Sequence, residues 1–134
     1  MGGIDERMTL LRAAGIVDDT GLRDLEALVR VVVSETGVSP DDAHLASLVT
    51  HVASALRRCA TGECVDPVPD EVMADVRESA VYPEARRVQR LIEAEMVNQL
   101  PEDERDFVLA HVGGLLMSEH DAQGGGEMRR SPRA

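Results

Sequence analysis

LPEDERDFVLAHV, residues 100–112, decides how the chain is read. Pro101 suits the first turn of a helix, where no backbone N–H is needed. The acids Glu102, Asp103 and Glu104 then complement the positive end of the helix dipole. An apolar run follows, with Phe107, Val108 and, further on, Leu115 spaced three or four residues from His111. Glu104 lies seven residues before His111, on the same helical face. The pattern predicts a helix from Pro101 to about Glu119 that carries an imidazole inside its apolar stripe.

The same three-and-four spacing recurs upstream. Residues 4–14 read as a short helix stopped near Gly15. Asp19 or Thr20 is placed to cap a second helix running to about Glu35, with Leu22, Leu25, Leu28, Val29, Val32 and Val33 on one side. Thr36-Gly37 ends it. Ser39-Pro40-Asp41-Asp42 then reads as a cap, a first-turn proline and two first-turn acids. The helix they open is expected to reach Arg58 and carries Leu45, Leu48, Val49, Val52 and Leu56. ATGECVDPVP, residues 60–69, is a loop; Asp70 to about Ala80 is a short helix. Tyr82-Pro83-Glu84 restarts a longer helix with Val88, Leu91, Ile92 and Met96 on one side. The break there either bends one helix or separates two.

No strand-length alternation appears, so the expected fold class is all-α, a bundle of five main helices. Three parts are expected: an N-terminal segment with a short helix over 1–18, a helical domain over 19–119, and a Gly-rich polar tail over 120–134 that stays disordered. With one Phe, one Tyr and no Trp, the core must be aliphatic.

Charge narrows the function classes. The net charge is −11, and all 14 basic residues are Arg. Such a surface repels phosphate backbones, so no direct nucleic-acid binding is expected of the folded part. The N-terminus shows no apolar leader and no run of membrane-spanning length, so a cytoplasmic location and no membrane partner are expected. Cys59 and Cys64 form a C-x4-C with no further ligands nearby, which reads as two reduced thiols near a loop, not a metal site. No cofactor-binding loop or nucleophile elbow occurs, and no cofactor is expected.

Four histidines remain: His44, His51, His111 and His120. His51 follows Leu48 by three residues and His44 by seven, so it too borders an apolar stripe. Each of His51 and His111, taken alone, reads as a core-edge histidine whose ring nitrogens find hydrogen bonds.

Together, the two segments resemble the PTS-regulation domain, a phosphohistidine-regulated module of bacterial antiterminators and transcription activators. LPEDERDFVLAHV is similar to its closing motif, in which an acid, an aromatic and a histidine recur as Glu104, Phe107 and His111. LASLVTHVASALRR, residues 45–58, is similar to its earlier histidine motif, with His51 as the histidine. The resemblance covers roughly residues 20–118. It implies a five-helix bundle of PRD type, phosphorylated on His111 and His51, with Glu104 and Arg58 as candidates to orient the phosphate. It also implies a homodimer, with HPr or a transporter subunit IIB of the phosphotransferase system as donor, and no enzymatic activity. Two departures stand out. Thr50 occupies the position before the first histidine, where the family often has an acid. No RNA-binding or helix-turn-helix domain precedes the module, so a stand-alone regulator acting on a separate transcription regulator is expected. The alternatives are a helical dimerisation or adaptor domain that no longer accepts phosphate, and an enzyme with His111 and Glu104 as acid and base.

Overall fold

The computed structural model describes the backbone over residues 3–133 and the side chains over residues 4–119. Among the described residues there are six helices and no strand: α1 (Gly3–Ala13), α2 (Asp19–Thr36), α3 (Ala43–Thr61), α4 (Asp70–Glu78), α5 (Tyr82–Glu95) and α6 (Glu102–Arg133). The polar tail expected over 120–134 lies outside the residues whose side chains are described.

The all-α expectation stands, but the helix count is six, not five. Ser79 leaves the helical region with ψ 153° and donates its hydroxyl to the Val76 carbonyl at 2.8 Å. A turn then closes from Tyr82 N to Ser79 O at 3.2 Å. Pro83 has no N–H and its ring would collide with the carbonyl four residues back in a continuous helix. The chain therefore breaks a turn early, and α4 and α5 are separate.

Two caps differ from those expected. Asp18, not Asp19 or Thr20, caps α2, accepting from Gly21 N at 2.8 Å. Asp42, not Ser39, caps α3, accepting from His44 N at 2.8 Å and Leu45 N at 3.2 Å. Ser39 instead closes its own turn, accepting from Asp42 N at its carbonyl and from Asp41 N at its hydroxyl. That turn places Pro40 and Asp41 ahead of the helix. α2 and α3 both end on a glycine in the left-handed region, Gly37 and Gly62, where an L side chain is strained.

α2, α3, α6 and α5 pack in that order around a ring, each against the next and α5 back on α2. α1 lies against α2 and α3, and α4 against α5 and α6. The ring encloses Leu25, Leu28, Leu45, Leu48, Val52, Val88, Ile92 and Leu115, all fully buried. The core is aliphatic, as the composition requires; Phe107 and Tyr82 only flank it. Each such side chain contributes about 1.5–3 kcal/mol by leaving water, and removing one would also leave a cavity. Three polar side chains share the interior: Asp24, Gln89 and Glu104. Among the described residues, no helix is long and apolar enough to cross a membrane.

Candidate functional site: a histidine pair on the α3–α6 seam

α3 and α6 are pressed together, so the faces that the two motifs define meet. His51 and Arg58 stand two turns apart on α3; Glu104, Phe107 and His111 share a face of α6. The His51 ring rests against both aromatic neighbours from α6. Its centroid is 4.9 Å from that of Phe107, with planes at 34°, and 4.9 Å from that of His111, at 43°.

Glu104 anchors the cluster from below. Its residue is 2% exposed. Arg58 donates to it from Nε at 2.7 Å and from Nη2 at 2.9 Å, a bidentate, charge-assisted pair. The same carboxylate puts Oε1 3.6 Å from His51 Nε2. Thus Glu104 serves His51 and Arg58 across the seam. It does not reach His111, two turns along its own helix, and the acid–base pairing of those two residues is not formed.

His51 Nε2 is shut off from solvent and has no hydrogen bond within 3.5 Å, the carboxylate lying just beyond. A proton on Nε2 is the one Glu104 favours, which leaves the lone pair on Nδ1. Burial is the main influence on the ring and lowers its pKa. Glu104 opposes that shift by its nearby charge, and Arg58 adds to it. His111 is lowered as well, first by burial and then by His51. Both shifts start from an ordinary value of 6.5 and go down, so both imidazoles are neutral at pH 7. A neutral imidazole offers one nitrogen lone pair as a nucleophile.

The pair opens onto a cleft of about 770 Å³, whose wall includes Arg7, Thr50, His51, Ser54, Arg58 and His111. Arg7 comes from α1 and donates from Nη1 to Thr50 Oγ1 at 3.0 Å. Sequence reasoning placed no role on Arg7, because α1 carries no motif and only the fold brings it over α3.

The other buried polar residues are structural. Asp24 accepts from Val97 N at 2.7 Å, Asn98 N at 3.1 Å and Asn98 Nδ2 at 2.7 Å, pinning the α5–α6 connection. Gln89 donates to the Arg105 carbonyl at 2.8 Å and accepts from Arg86 Nη1 at 2.6 Å. Both sit inside apolar spacing on their helices, which was the available signal. His44 is exposed beside Asp42, 3.6 Å from its carboxylate, and takes no part in the cluster. Cys59 and Cys64 are exposed and free. Among the described residues, no group of three or more His, Cys, Asp or Glu is placed to hold a metal ion.

A helical ring that brings two imidazoles into contact at the edge of a cleft, over a buried carboxylate paired with a partly exposed guanidinium, defines a paired-histidine module. The chain matches the family model of the PRD domain over residues 26–115 and belongs to that family, which makes it a module of the PTS-regulation type. It is 25% identical over 118 residues to the uncharacterized protein YhfY of Escherichia coli (strain K12), covering 88% of this chain and 98% of that protein. No solved structure matches the chain.

Proposed function

We propose that the chain acts as a regulatory module that receives a phosphoryl group on His51 or His111 from the phosphotransferase system. It passes the signal to a separate transcription regulator through protein–protein contacts, as a homodimer. The observation that carries this reading is the contact between the two rings, 4.9 Å apart on facing helices, both neutral and both on the cleft.

The chemistry asks little of the receiver. A phosphorylated donor, HPr or a subunit IIB, brings the phosphorus atom to the cleft. The lone pair of His51 or His111 attacks it, a new N–P bond forms, the bond from phosphorus to the donor's side chain breaks, and that side chain keeps the electron pair. The module positions and receives; it turns nothing over. The product adds a charge of about −1.5 to −2 beside a buried carboxylate. Arg58 is the counter-charge at hand, and phosphoryl oxygens compete with Glu104 for its fork. A guanidinium drawn away from Glu104 leaves a buried carboxylate unpaired, so the α3–α6 seam must readjust. That readjustment is the signal.

Thr50 beside His51, a hydroxyl where related domains often carry an acid, supports the second reading, an adaptor that does not accept phosphate. The test is direct. The purified chain is incubated with phosphoenolpyruvate, enzyme I and HPr, with and without a cognate subunit IIB. Acid-labile addition of a phosphoryl group, lost in His51→Ala or His111→Ala, establishes the switch and its site. A chain that stays unmodified with every cognate donor sinks the switch and leaves the adaptor.

A further inference from the structure

The cleft that holds the histidines is not built by the PRD-matched residues alone. That match begins at residue 26, inside α2. α1 precedes it and is seated on the core by Ile4, 3% exposed, and Met8, 7% exposed. Between these two anchors, Arg7 reaches across to α3 and lines the cleft with His51, His111 and Arg58.

The two arginines of the cleft differ in their commitments. Arg58 is spent on a buried carboxylate through two short hydrogen bonds. Arg7 is exposed, and its one side-chain partner among the described residues is the neutral hydroxyl of Thr50. A guanidinium bonded to a neutral hydroxyl gains by exchanging it for an oxyanion, where both partners carry charge and the pairing can be bidentate. Thr50 directly precedes His51, and the guanidinium and the ring line the same cleft. The cleft's aspartates, Asp41 and Asp42, sit at the other end of its α3 wall. Asp42, which caps α3, is about 12 Å up the helix from Thr50.

We propose that Arg7 is a positioning residue for the phosphorylated state, and this rests on the function proposed above. Once His51 carries a phosphoryl group, Arg7 releases Thr50 and pairs with the phosphoryl oxygens. α1 is thereby tied to the phosphorylation state of the cleft. Thr50 fits this arrangement: a hydroxyl parks the guanidinium, whereas a carboxylate there would hold it.

The test uses the full chain, as wild type, Arg7→Gln and Arg7→Lys, labelled with phosphoramidate, which needs no docking protein. The imidazole nitrogen bonds to phosphorus, the phosphorus–nitrogen bond of phosphoramidate breaks, and ammonia leaves with the proton. Phosphorus NMR then follows the ionisation of the phosphoryl group, its signal assigned to His51 by loss in His51→Ala. A nearby cation holds that ionisation down. In Arg7→Gln the midpoint is expected to rise by about 0.5, and Arg7→Lys, which keeps the charge, is expected to restore most of it. A purely structural role for Arg7 would not be rescued by charge. Equal midpoints in all three chains, or labelling confined to His111, overturn this inference and leave the proposed function standing. A chain that no donor labels, small or protein, overturns both.

Discussion

Arg58 grips Glu104 at two points, Nε to Oε2 at 2.7 Å and Nη2 to Oε1 at 2.9 Å, and so locks α3 to α6 directly beneath His51. The carboxylate side chain is 3% exposed and the guanidinium side chain 23%. The pair is therefore held in a medium where charge matters, with one edge wet.

Removing the carboxylate is the sharpest probe of that lock. Glu104→Ala leaves a half-buried guanidinium without its acceptor and opens a small cavity. Breaking a fully buried pair costs about 3–5 kcal/mol; with Arg58 partly in water, about 2–3 kcal/mol is expected here. Urea unfolding of the two chains measures it. Glu104→Gln keeps the shape and loses the charge. Since Glu104 opposes the downward shift of His51, the ring should titrate at still lower pH in Glu104→Gln, as read from its NMR signals. An unchanged His51 titration would mean that Glu104 does not act on the ring.

Asp24 is a second buried carboxylate with a different task. Its three accepted hydrogen bonds all come from Val97 and Asn98. Asp24→Ala removes the charged acceptor of two backbone amides on exposed residues, and a hydrogen bond to a charged group is worth about 1.5–3 kcal/mol. A loss of about 3 kcal/mol overall is expected, with faster amide hydrogen exchange at Val97 and Asn98 than the global loss explains. The histidine cluster lies on another seam, so the His51 and His111 ring signals should hold their positions.

Much of this was legible before the fold was known, and the exceptions have physical reasons. Helical periodicity names faces, so it groups Glu104, Phe107 and His111 on one helix, and the resemblance adds His51 and Arg58 on another. Periodicity does not say which faces meet. The Arg58–Glu104 pair joins residues 46 positions apart, and only the packing of α3 on α6 shows that Glu104 serves His51 and not His111. Caps were misplaced where several good capping residues crowd together, as at Ser39-Pro40-Asp41-Asp42. There the serine closes a turn before the helix can start. The helix count turned on Ser79, whose extended backbone has no strong local signal. Arg7 was invisible because its place in the cleft depends on how α1 sits on α2 and α3.

Gly62 offers a clean backbone test near the same site. It ends α3 with φ 79°, and its successor Glu63 donates from N to the Arg58 carbonyl at 2.8 Å. An added Cβ would meet nothing within 4 Å, so Gly62→Ala introduces no clash. The remaining cost is that of holding an L residue in the left-handed region, about 1 kcal/mol. Chemical denaturation should show that loss with an unchanged dependence on denaturant concentration. A much larger loss would mean that the α3 terminus is coupled to the Arg58 lock beyond its own turn.

The buried rings also set a pH dependence whose sign is fixed. Both His51 and His111 have folded-state values below the ordinary 6.5 that they regain on unfolding. Above 6.5 both states hold the rings neutral, and the fold keeps its full stability. As pH falls through 6.5, the unfolded chain takes up protons that the folded chain refuses, so the equilibrium moves toward unfolding. The loss continues until the folded rings themselves protonate, and then levels off. Stability should therefore begin to fall as pH drops below about 7.5 and continue to fall through 6.5 until the folded rings take up their protons. Carboxylates also titrate at the lower end, so the comparison that isolates the rings is with His51→Gln and His111→Gln. Each variant should lose less stability than the wild type over that range, and the double variant least of all. If both variants track the wild type, the rings protonate freely in the fold. Burial would then not be what keeps them neutral, and their readiness as nucleophiles at pH 7 would rest on their ordinary pKa alone.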